Sequence, residues 1–197
     1  TDHIKDFSIE KEILGKYFDE KISENTSIIL VWHKEINKLF LENHPSIRAI
    51  VRYGVGYDNI DLDFCKNKNI IVANTPDYGI DEVSDSAIAM ILYLTRKIGT
   101  LEILAKENQE YWTGKDINQN MRRLNKLSLG IIGLGRIGSS IANKFIPFSK
   151  NIGYYDPYIP NGYDKVFGIK KYQSLSDLLS DSDIISINTP LNNETKG

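Results

Sequence analysis

The chain has 197 residues, of which 41% are hydrophobic, and it carries 24 basic and 26 acidic side chains for a net charge of -2. This hydrophobic content is enough for a core in one large domain or two small ones. The balanced charge argues against nucleic acid or an anionic membrane surface as a partner, so we expect a small-molecule ligand. No apolar run approaches the roughly 20 residues of a membrane span.

A single cysteine, Cys65, excludes an intramolecular disulfide and fits a reducing compartment, from which we predict a cytoplasmic protein. The N-terminal sequence TDHIKDFSIEKEIL is charged from its second residue and lacks the apolar core of a secretory signal. We expect no metal site.

Short β-type runs alternate with helical patterns from about residue 28 onward. In chain order these segments are SIILVW, KEINKLFLEN, IRAIVRY, LDFCKNK and IIVANTP. A longer helix is predicted from Asp81 to Glu107, because apolar residues recur three and four positions apart along it. These residues are Val83, Ala87, Met90, Ile91, Leu94 and Ile98. Apolar residues outside this stripe, such as Ile88, Leu92 and Tyr93, fit either contact with a partner subunit or burial within the protein's own core.

A polar segment without periodicity, NQEYWTGKDINQNMRR, is interpreted as a surface connection to a second alternating series. That series is predicted as the strand LSLGIIG, a helix from about Arg136 to Ile146, the strand NIGYYD, the short helix LSDLLSD and the strand DIISINTP. Alternation of this kind predicts an α/β fold with parallel sheets covered by helices.

Three glycines, Gly133, Gly135 and Gly138, have the spacing G-x-G-x-x-G between an apolar strand and a helix. The first would permit a tight turn, the second would let a pyrophosphate approach the backbone, and the third would allow close helix–strand packing. The pyrophosphate would then lie on the N–H groups at the positive end of the helix. The pattern alone is weak, because glycines also mark ordinary strand-to-helix turns.

Asp156 ends the next predicted strand, 18 residues after Gly138. This is close to the spacing at which an acidic residue accepts hydrogen bonds from the ribose hydroxyls of a dinucleotide. A carboxylate there would repel the 2′-phosphate of NADP, and the following PYIPNGY contains no arginine to neutralise one, so NAD is predicted. The alternative is that Asp156 only begins a turn with Pro157.

Further cofactor contacts are assigned to Arg136 and Ile137 in the first helical turn, and to Thr189 and Pro190 after the last strand. Arg136 could reach phosphate oxygens or could simply be a solvated charge. Ligands lie at the carboxyl ends of strands in doubly wound sheets, which favours Thr189 and Pro190 as neighbours of the nicotinamide ribose. The alternative for these two is a strand terminated by proline.

Taken together, the motifs resemble those of the D-isomer-specific 2-hydroxyacid dehydrogenases, the family of phosphoglycerate dehydrogenase and the C-terminal-binding-protein corepressors. The matching segments are RYGVGYDNIDL, VANTPDYGIDEVSDSAIAMIL, LSLGIIGLGRIG, YYDPY and NTPLNNET. The resemblance implies a flavodoxin-like substrate domain over residues 1–80. It implies an incomplete, doubly wound Rossmann domain that binds NAD over residues 81–197.

In such proteins the loop matching YGVG holds the substrate carboxylate through its backbone N–H groups and touches the nicotinamide. The resemblance therefore assigns substrate binding to Gly54, Val55 and Gly56, with Val55 also at the cofactor. Two glycines around a valine after a strand are compatible with an anion-binding nest. The alternative, which does not exclude the first, is a turn leading to Asp61 as the N-cap of the next helix.

The implied activity is hydride transfer between NAD and a small D-2-hydroxy acid or 2-keto acid. The family's catalytic arginine, glutamate and histidine lie downstream of the segment matching NTPLNNET, so we expect no catalytic residue, and no turnover, in these 197 residues. We interpret the sequence as part of a longer protein. The alternative is an NAD-sensing, corepressor-like binding module without turnover. A homodimer is expected, because family members dimerise through the nucleotide domain and its long helix.

Overall fold

The computed structural model describes residues 5–107 and 121–196, so most of the predicted surface connection lies outside the described residues. Contacts divide the chain into two compact units. The first contains the residues up to Tyr78 together with the segment from Pro190, and the second runs from Gly79 to Thr189. Among the described residues, none of the helices combines the length and apolar character needed to cross a bilayer.

The first unit is built on a parallel sheet in the order β1-β2-β3. Its elements are α1 (Ser8–Leu14), a 3₁₀ turn (Gly15–Tyr17), β1 (Ile28–Val31), α2 (Lys38–Glu42), β2 (Ala49–Arg52), α3 (Leu62–Asn67) and β3 (Ile71–Asn74). Its core contains Ile29, Val31, Ile36, Ile50 and Cys65. Asp61 caps α3, since its Oδ1 accepts a hydrogen bond from the Phe64 N–H at 2.9 Å.

The second unit contains a four-stranded parallel sheet in the order β6-β5-β4-β7. Its elements are α4 (Ile80–Thr95), α5 (Ile98–Glu107), a 3₁₀ turn (Leu124–Lys126), β4 (Leu129–Ile132), α6 (Arg136–Phe145), β5 (Ile152–Tyr155), α7 (Tyr163–Phe167), β6 (Lys170–Lys171), α8 (Leu175–Asp181) and β7 (Ile184–Ile187). Leu129, Ile131, Ile141, Phe145 and Tyr154 are fully buried in its core.

The strands of the second unit are all parallel, but the direction in which the chain adds strands to the sheet changes between β4 and β7. The chain proceeds outward from β4 through β5 to β6, and then returns to the other side of β4. This is the arrangement of a doubly wound sheet, in which ligands bind at the carboxyl ends of the strands beside the reversal. The predicted α/β fold with parallel sheets is confirmed.

The predicted helix from Asp81 to Glu107 is interrupted. It divides into α4 and α5, and Lys97 between them has a φ of 51°, in the left-handed region. That conformation cannot continue an α-helix. Thr95, the last residue of α4, donates its hydroxyl hydrogen to the Ile91 carbonyl at 2.7 Å, a bond that is typical of bent or ending helices.

The predicted apolar stripe of α4 is split between the core and the surface. Ile91 is buried, and Ala87 and Ile88 pack against the core. By contrast, Met90 and Leu94 are 61% and 71% exposed. Periodicity identifies the apolar positions of a helix, but this core contacts only a narrow part of its surface. The remaining apolar side chains of α4 form a separate, exposed face.

Candidate functional site

The turn between β4 and α6 requires glycine at two of its three glycine positions. Gly133 has a φ of 85°, and a Cβ there would lie 2.9 Å from the carbonyl oxygen of Asn188. A Cβ on Gly138 would lie 2.1 Å from the Gly133 carbonyl oxygen. Any side chain at Gly138 would therefore push α6 away from the turn, which agrees with the close-packing role predicted from the sequence.

Gly135 differs from the other two because its surroundings are open. A Cβ built at Gly135 meets no atom within 4 Å. The residue is the N-cap of α6, and no side chain caps the N–H groups that begin this helix. Open space above uncapped N–H groups at the positive end of a ten-residue helix fits a pyrophosphate.

The two residues that follow Gly135 have different environments. Arg136 is exposed at the first position of α6. Ile137 is partly buried, and its side chain packs against the hydrophobic core. The backbone N–H of Ile137 therefore belongs to the helix terminus, whereas only Arg136 presents a polar side chain to solvent there.

Asp156 follows β5 and reaches the glycine turn. Its Oδ2 accepts a hydrogen bond from the Leu134 N–H at 2.9 Å, and its Oδ1 accepts one from the Tyr158 N–H at 2.9 Å. The second bond forms the Asp-Pro turn that the sequence left as an alternative, so the carboxylate makes the turn and also contacts the glycine loop. A carboxylate has about four acceptor positions, which leaves capacity for ribose hydroxyls.

Thr189 follows β7, the strand beside β4. Its Cγ2 lies 3.1 Å from a Cβ built on Gly133, so this side chain borders the glycine turn. The Asn188 N–H donates to the Ile132 carbonyl at 2.8 Å and holds the two strand ends together. Pro190 comes next in the chain, and its contacts group it with the first unit.

In the first unit, the loop after β2 has two of its carbonyl groups engaged. The Gly54 carbonyl accepts the Thr75 N–H at 3.1 Å, and the Val55 carbonyl accepts the Asn74 side-chain amide at 2.8 Å. Gly54 has a φ of 151°, a conformation that favours glycine. Within the described residues, the N–H groups of Val55 and Gly56 have no hydrogen-bond acceptor. This loop therefore presents donors, as an anion-binding nest does.

Tyr53 anchors the start of this loop. Its hydroxyl donates to Glu10 Oε1 at 3.1 Å and connects β2 with α1. Burial, and secondarily the adjacent Glu10, raises the pKa of the Tyr53 hydroxyl to about 12, so it stays protonated as a donor.

Two residues that hold the candidate site in shape were not predicted from the sequence. Asn74, the last residue of β3, braces the loop through Val55, and Leu134 supplies the N–H that contacts Asp156. A signal for Asn74 was available, because a polar residue ending a strand beside β2 lies at the same sheet edge as the loop. The contact of Leu134 is made by its backbone, which no side-chain pattern reveals.

Comparison with known proteins identifies the class to which this fold and site belong. Residues 88–197, more than half of the chain, match the family model described as D-isomer specific 2-hydroxyacid dehydrogenase, NAD binding domain. The chain belongs to the D-isomer-specific 2-hydroxyacid dehydrogenase family, and its second half carries the family's NAD-binding domain. The resemblance predicted from the motifs and the predicted cofactor, NAD, are both confirmed.

Particular relatives support the same assignment. The chain is 30% identical to glyoxylate reductase of Pyrococcus horikoshii over 196 residues, covering 94% of this chain and 56% of that protein. It is 31% identical to glyoxylate reductase of Thermococcus litoralis over 181 residues, covering 89% and 54%. A crystal structure of D-lactate dehydrogenase from Aquifex aeolicus, complexed with NAD and lactic acid, superposes with a TM-score of 0.81 at 31% identity, covering 96% and 59%. The chain thus spans a little over half the length of these relatives.

Proposed function

We propose that the protein containing this chain is an NAD-dependent oxidoreductase that transfers hydride between the nicotinamide and C2 of a small D-2-hydroxy acid or 2-keto acid. The observation that carries this proposal is the glycine turn after β4, with the Asp156 carboxylate hydrogen-bonded to it at the carboxyl edge of a doubly wound sheet. The relatives named above, a glyoxylate reductase and a D-lactate dehydrogenase, act on acids of this class.

NAD, when bound, supplies the hydride acceptor or donor. This chain supplies binding and orientation. Gly135 leaves room over the N-terminus of α6, where the N–H groups of Arg136 and Ile137 stabilise pyrophosphate charge. Asp156 accepts hydrogen bonds from ribose hydroxyls and disfavours a 2′-phosphate, and Thr189 and Pro190 lie toward the nicotinamide end.

We assign the acid end of the substrate to the loop Gly54–Gly56 in the first unit. Its unengaged N–H groups suit a carboxylate, and the bonds from Thr75 and Asn74 hold the loop in shape before a ligand arrives. Such preorganisation lowers the entropic cost of binding. Val55 is the residue of this loop that we place against the nicotinamide.

We assign the proton-transfer groups of the reaction to a segment other than these 197 residues. By the family resemblance, the arginine, glutamate and histidine of the reaction lie downstream of residues 188–195, and we propose that these 197 residues bind NAD without turnover. The alternative function is an NAD-sensing module, which would use the same cofactor site. An activity assay distinguishes this module from the enzyme. NADH oxidation by the full-length protein with glyoxylate or pyruvate supports the enzyme, and binding of NADH without oxidation supports the module.

We also propose a homodimer formed through α4 and α5. Their exposed apolar residues include Val83, Met90, Leu94, Ile98 and Ile103. Burial of such a face against a second copy removes apolar area from water. Sedimentation should show a dimer that Leu94→Glu dissociates and that Val166→Glu, at an 80% exposed position in the same unit, leaves intact. A monomeric wild-type protein would contradict this assembly.

We place the protein in the cytoplasm, where reducing conditions suit the single, buried Cys65.

A further inference from the structure

The loop that follows Asp156 contains Asn161 and Gly162, the only asparagine in the sequence that is followed by glycine. Such a pair is prone to deamidation, because glycine has no Cβ to hinder the attack of its own backbone nitrogen on the asparagine side chain. Asn161 is exposed, so water reaches its amide. Gly162 has a φ of 105°, in the region that favours glycine, so the turn itself requires this residue.

Both groups that would react are unengaged. Within the described residues, the backbone N–H of Gly162 has no hydrogen-bond acceptor, and the side-chain amide nitrogen of Asn161 donates to none. Gly162 is the N-cap of α7 and lies outside the hydrogen bonds of that helix. The attacking nitrogen and the leaving amide are therefore free of bonds that the reaction would have to break.

Lys171 of β6 contacts the carbonyl oxygen of the same amide. Its Nζ donates to Asn161 Oδ1 at 3.1 Å and to the Ile159 carbonyl at 3.3 Å. The neighbouring Lys170 is paired with Asp181 at 3.1 Å, whereas in the part of the chain that the structure describes no carboxylate lies within ion-pair distance of Lys171. An uncompensated positive charge at the carbonyl oxygen draws electron density from Cγ and stabilises the oxyanion that forms when a nitrogen attacks.

Asn151, in the same unit, shows the contrast. It is also exposed, but the residue after it, Ile152, is buried and β-branched. The Ile152 N–H donates to the Lys150 carbonyl at 2.9 Å, so its nitrogen is not free to attack. Exposure is therefore shared by the two asparagines, and the surroundings distinguish Asn161.

We propose that Asn161 is a deamidation site, in which Gly162 supplies the nucleophile and Lys171 activates the amide. The Gly162 N–H loses its proton to solvent base, and the nitrogen forms a bond to Asn161 Cγ. The Cγ–Nδ2 bond breaks, and the nitrogen leaves as ammonia with a proton taken from water. Water then opens the resulting succinimide at either carbonyl, which leaves aspartate or isoaspartate at position 161. No electrons are transferred to or from another molecule.

The modified loop is the one that begins at Asp156. An isoaspartate lengthens the main chain between Asp156 and α7 by one carbon atom and places a negative charge beside Lys171. Both changes act near the carboxylate to which we assign the ribose hydroxyls, and this consequence rests on the proposed function. We expect the deamidated protein to bind NADH about threefold or more weakly, the scale of an exposed charge interaction.

Incubation of the folded protein at mildly alkaline pH, followed by tryptic digestion and mass spectrometry, tests this site. Cleavage after Lys150 and Lys165 releases residues 151–165, a single peptide that contains both asparagines. We expect the mass increase of deamidation to build up at Asn161 and not at Asn151. Electron-transfer fragmentation distinguishes the two products, and isoaspartate should be the larger one.

Variants of Lys171 test its part in the reaction. Lys171→Met should slow deamidation about threefold or more, as expected for the loss of an exposed charge, and Lys171→Arg should keep the faster rate. Lys170→Met, the matched control, should leave the rate unchanged. A lysine that only restrained the side chain would make Lys171→Met deamidate faster, so an equal or faster rate would overturn the activating role. Circular dichroism verifies folding, and Lys171→Gln provides the same reading if Lys171→Met does not fold.

An unmodified Asn161 after the incubation, or equal conversion of Asn151 and Asn161, would overturn the modification site. NADH titration of fresh and incubated protein measures the consequence, and Asn161→Ser, which cannot deamidate, should keep its affinity. Equal affinities before and after conversion would overturn the effect on the cofactor site. Failure of the fresh protein to bind NADH would contradict the proposed function, whereas the mass spectra decide the modification independently.

Discussion

The Leu134 N–H donates a hydrogen bond to Asp156 Oδ2 at 2.9 Å, and this bond joins the glycine turn after β4 to the end of β5. The same carboxylate closes its own turn by accepting the Tyr158 N–H through Oδ1. The Asp156 side chain is thus held at the sheet edge before any cofactor binds. A preorganised acceptor loses little freedom when ribose hydroxyls arrive.

Replacing Asp156 by alanine should narrow the preference for NADH over NADPH. The wild-type chain should bind NADH more tightly, because its carboxylate accepts hydroxyl hydrogens and repels a phosphate. Asp156→Ala should weaken NADH binding by about tenfold, the scale of a hydrogen bond to a charged group, and should weaken NADPH binding less. Fluorescence titration with both nucleotides measures these affinities. Asp177→Ala serves as the control, and equal wild-type affinities for the two nucleotides would refute the role of Asp156.

Gly135→Ala should weaken NADH binding without changing stability, whereas Gly138→Ala should lower stability. A Cβ at Gly135 meets no protein atom, so Gly135→Ala should leave the melting temperature nearly unchanged and weaken NADH binding. A Cβ at Gly138 would overlap the Gly133 carbonyl, so Gly138→Ala should lower the free energy of unfolding by about 1–3 kcal/mol, the usual cost of overpacking. Thermal unfolding and NADH titration of both variants separate the two effects. Unchanged NADH affinity in Gly135→Ala would argue against a pyrophosphate at this turn.

Lys144 of α6 should stabilise the contact between α6 and the first turns of α4. Its Nζ donates to Asp85 Oδ1 at 2.6 Å, to Ser84 Oγ at 2.8 Å and to Asp81 Oδ1 at 3.1 Å. The hydrogen bond to Asp85 is the main reason that the pKa of Lys144 is raised, so the side chain is charged at neutral pH. Lys144→Met should lower the melting temperature, whereas Lys150→Met should not. Equal melting temperatures for Lys144→Met and wild type would show that this cluster adds nothing.

Asp183 should make stability depend on pH in the acidic range. Hydrogen bonding by the Ser128 N–H, supported by Arg122, lowers the pKa of the Asp183 carboxyl below its ordinary value. A carboxyl group whose pKa is lowered by folding contributes its full stabilisation when the pH is above its unfolded-state pKa, about 3.9. This stabilisation is lost as the pH falls through the folded-state pKa.

The corresponding variant is Asp183→Asn. It should be less stable than wild type at pH 7, and the difference should shrink as the pH falls below about 4. Chemical unfolding across this range measures it, with Glu24→Gln as the control. A stability difference that stays constant with pH would show that the Asp183 charge is not the cause.

The sequence predicted most of the elements that surround the cofactor site, because their signals are local. The helix LSDLLSD is observed as Leu175–Asp181, where Ser174 caps the helix, and the strand–glycine–helix pattern placed β4 and α6 correctly. The break between α4 and α5 was missed. Lys97 is a residue type that gives no warning of a left-handed conformation, and apolar periodicity continues through the break.

The substrate end of the site shows a different limit. The glycines of the loop after β2 were visible as a pattern, but the hydrogen bonds from Thr75 and Asn74 that hold this loop depend on the folded positions of its neighbours. Asn74 carried a signal, as a polar residue that ends a strand, but its hydrogen bond to the Val55 carbonyl follows from the pairing of β2 with β3 in the folded chain. Pairing and side-chain satisfaction are properties of the folded chain.

Hydrogen–deuterium exchange of the 197-residue chain with and without NADH tests the central claim most directly. The account predicts that NADH slows exchange in peptides covering Gly133–Gly138 and Asp156–Tyr158, and that Gly135→Ala reduces this protection at the same NADH concentration. Saturating NADH without slower exchange in these two segments, or with protection confined to other parts of the chain, would contradict the assignment of the cofactor site.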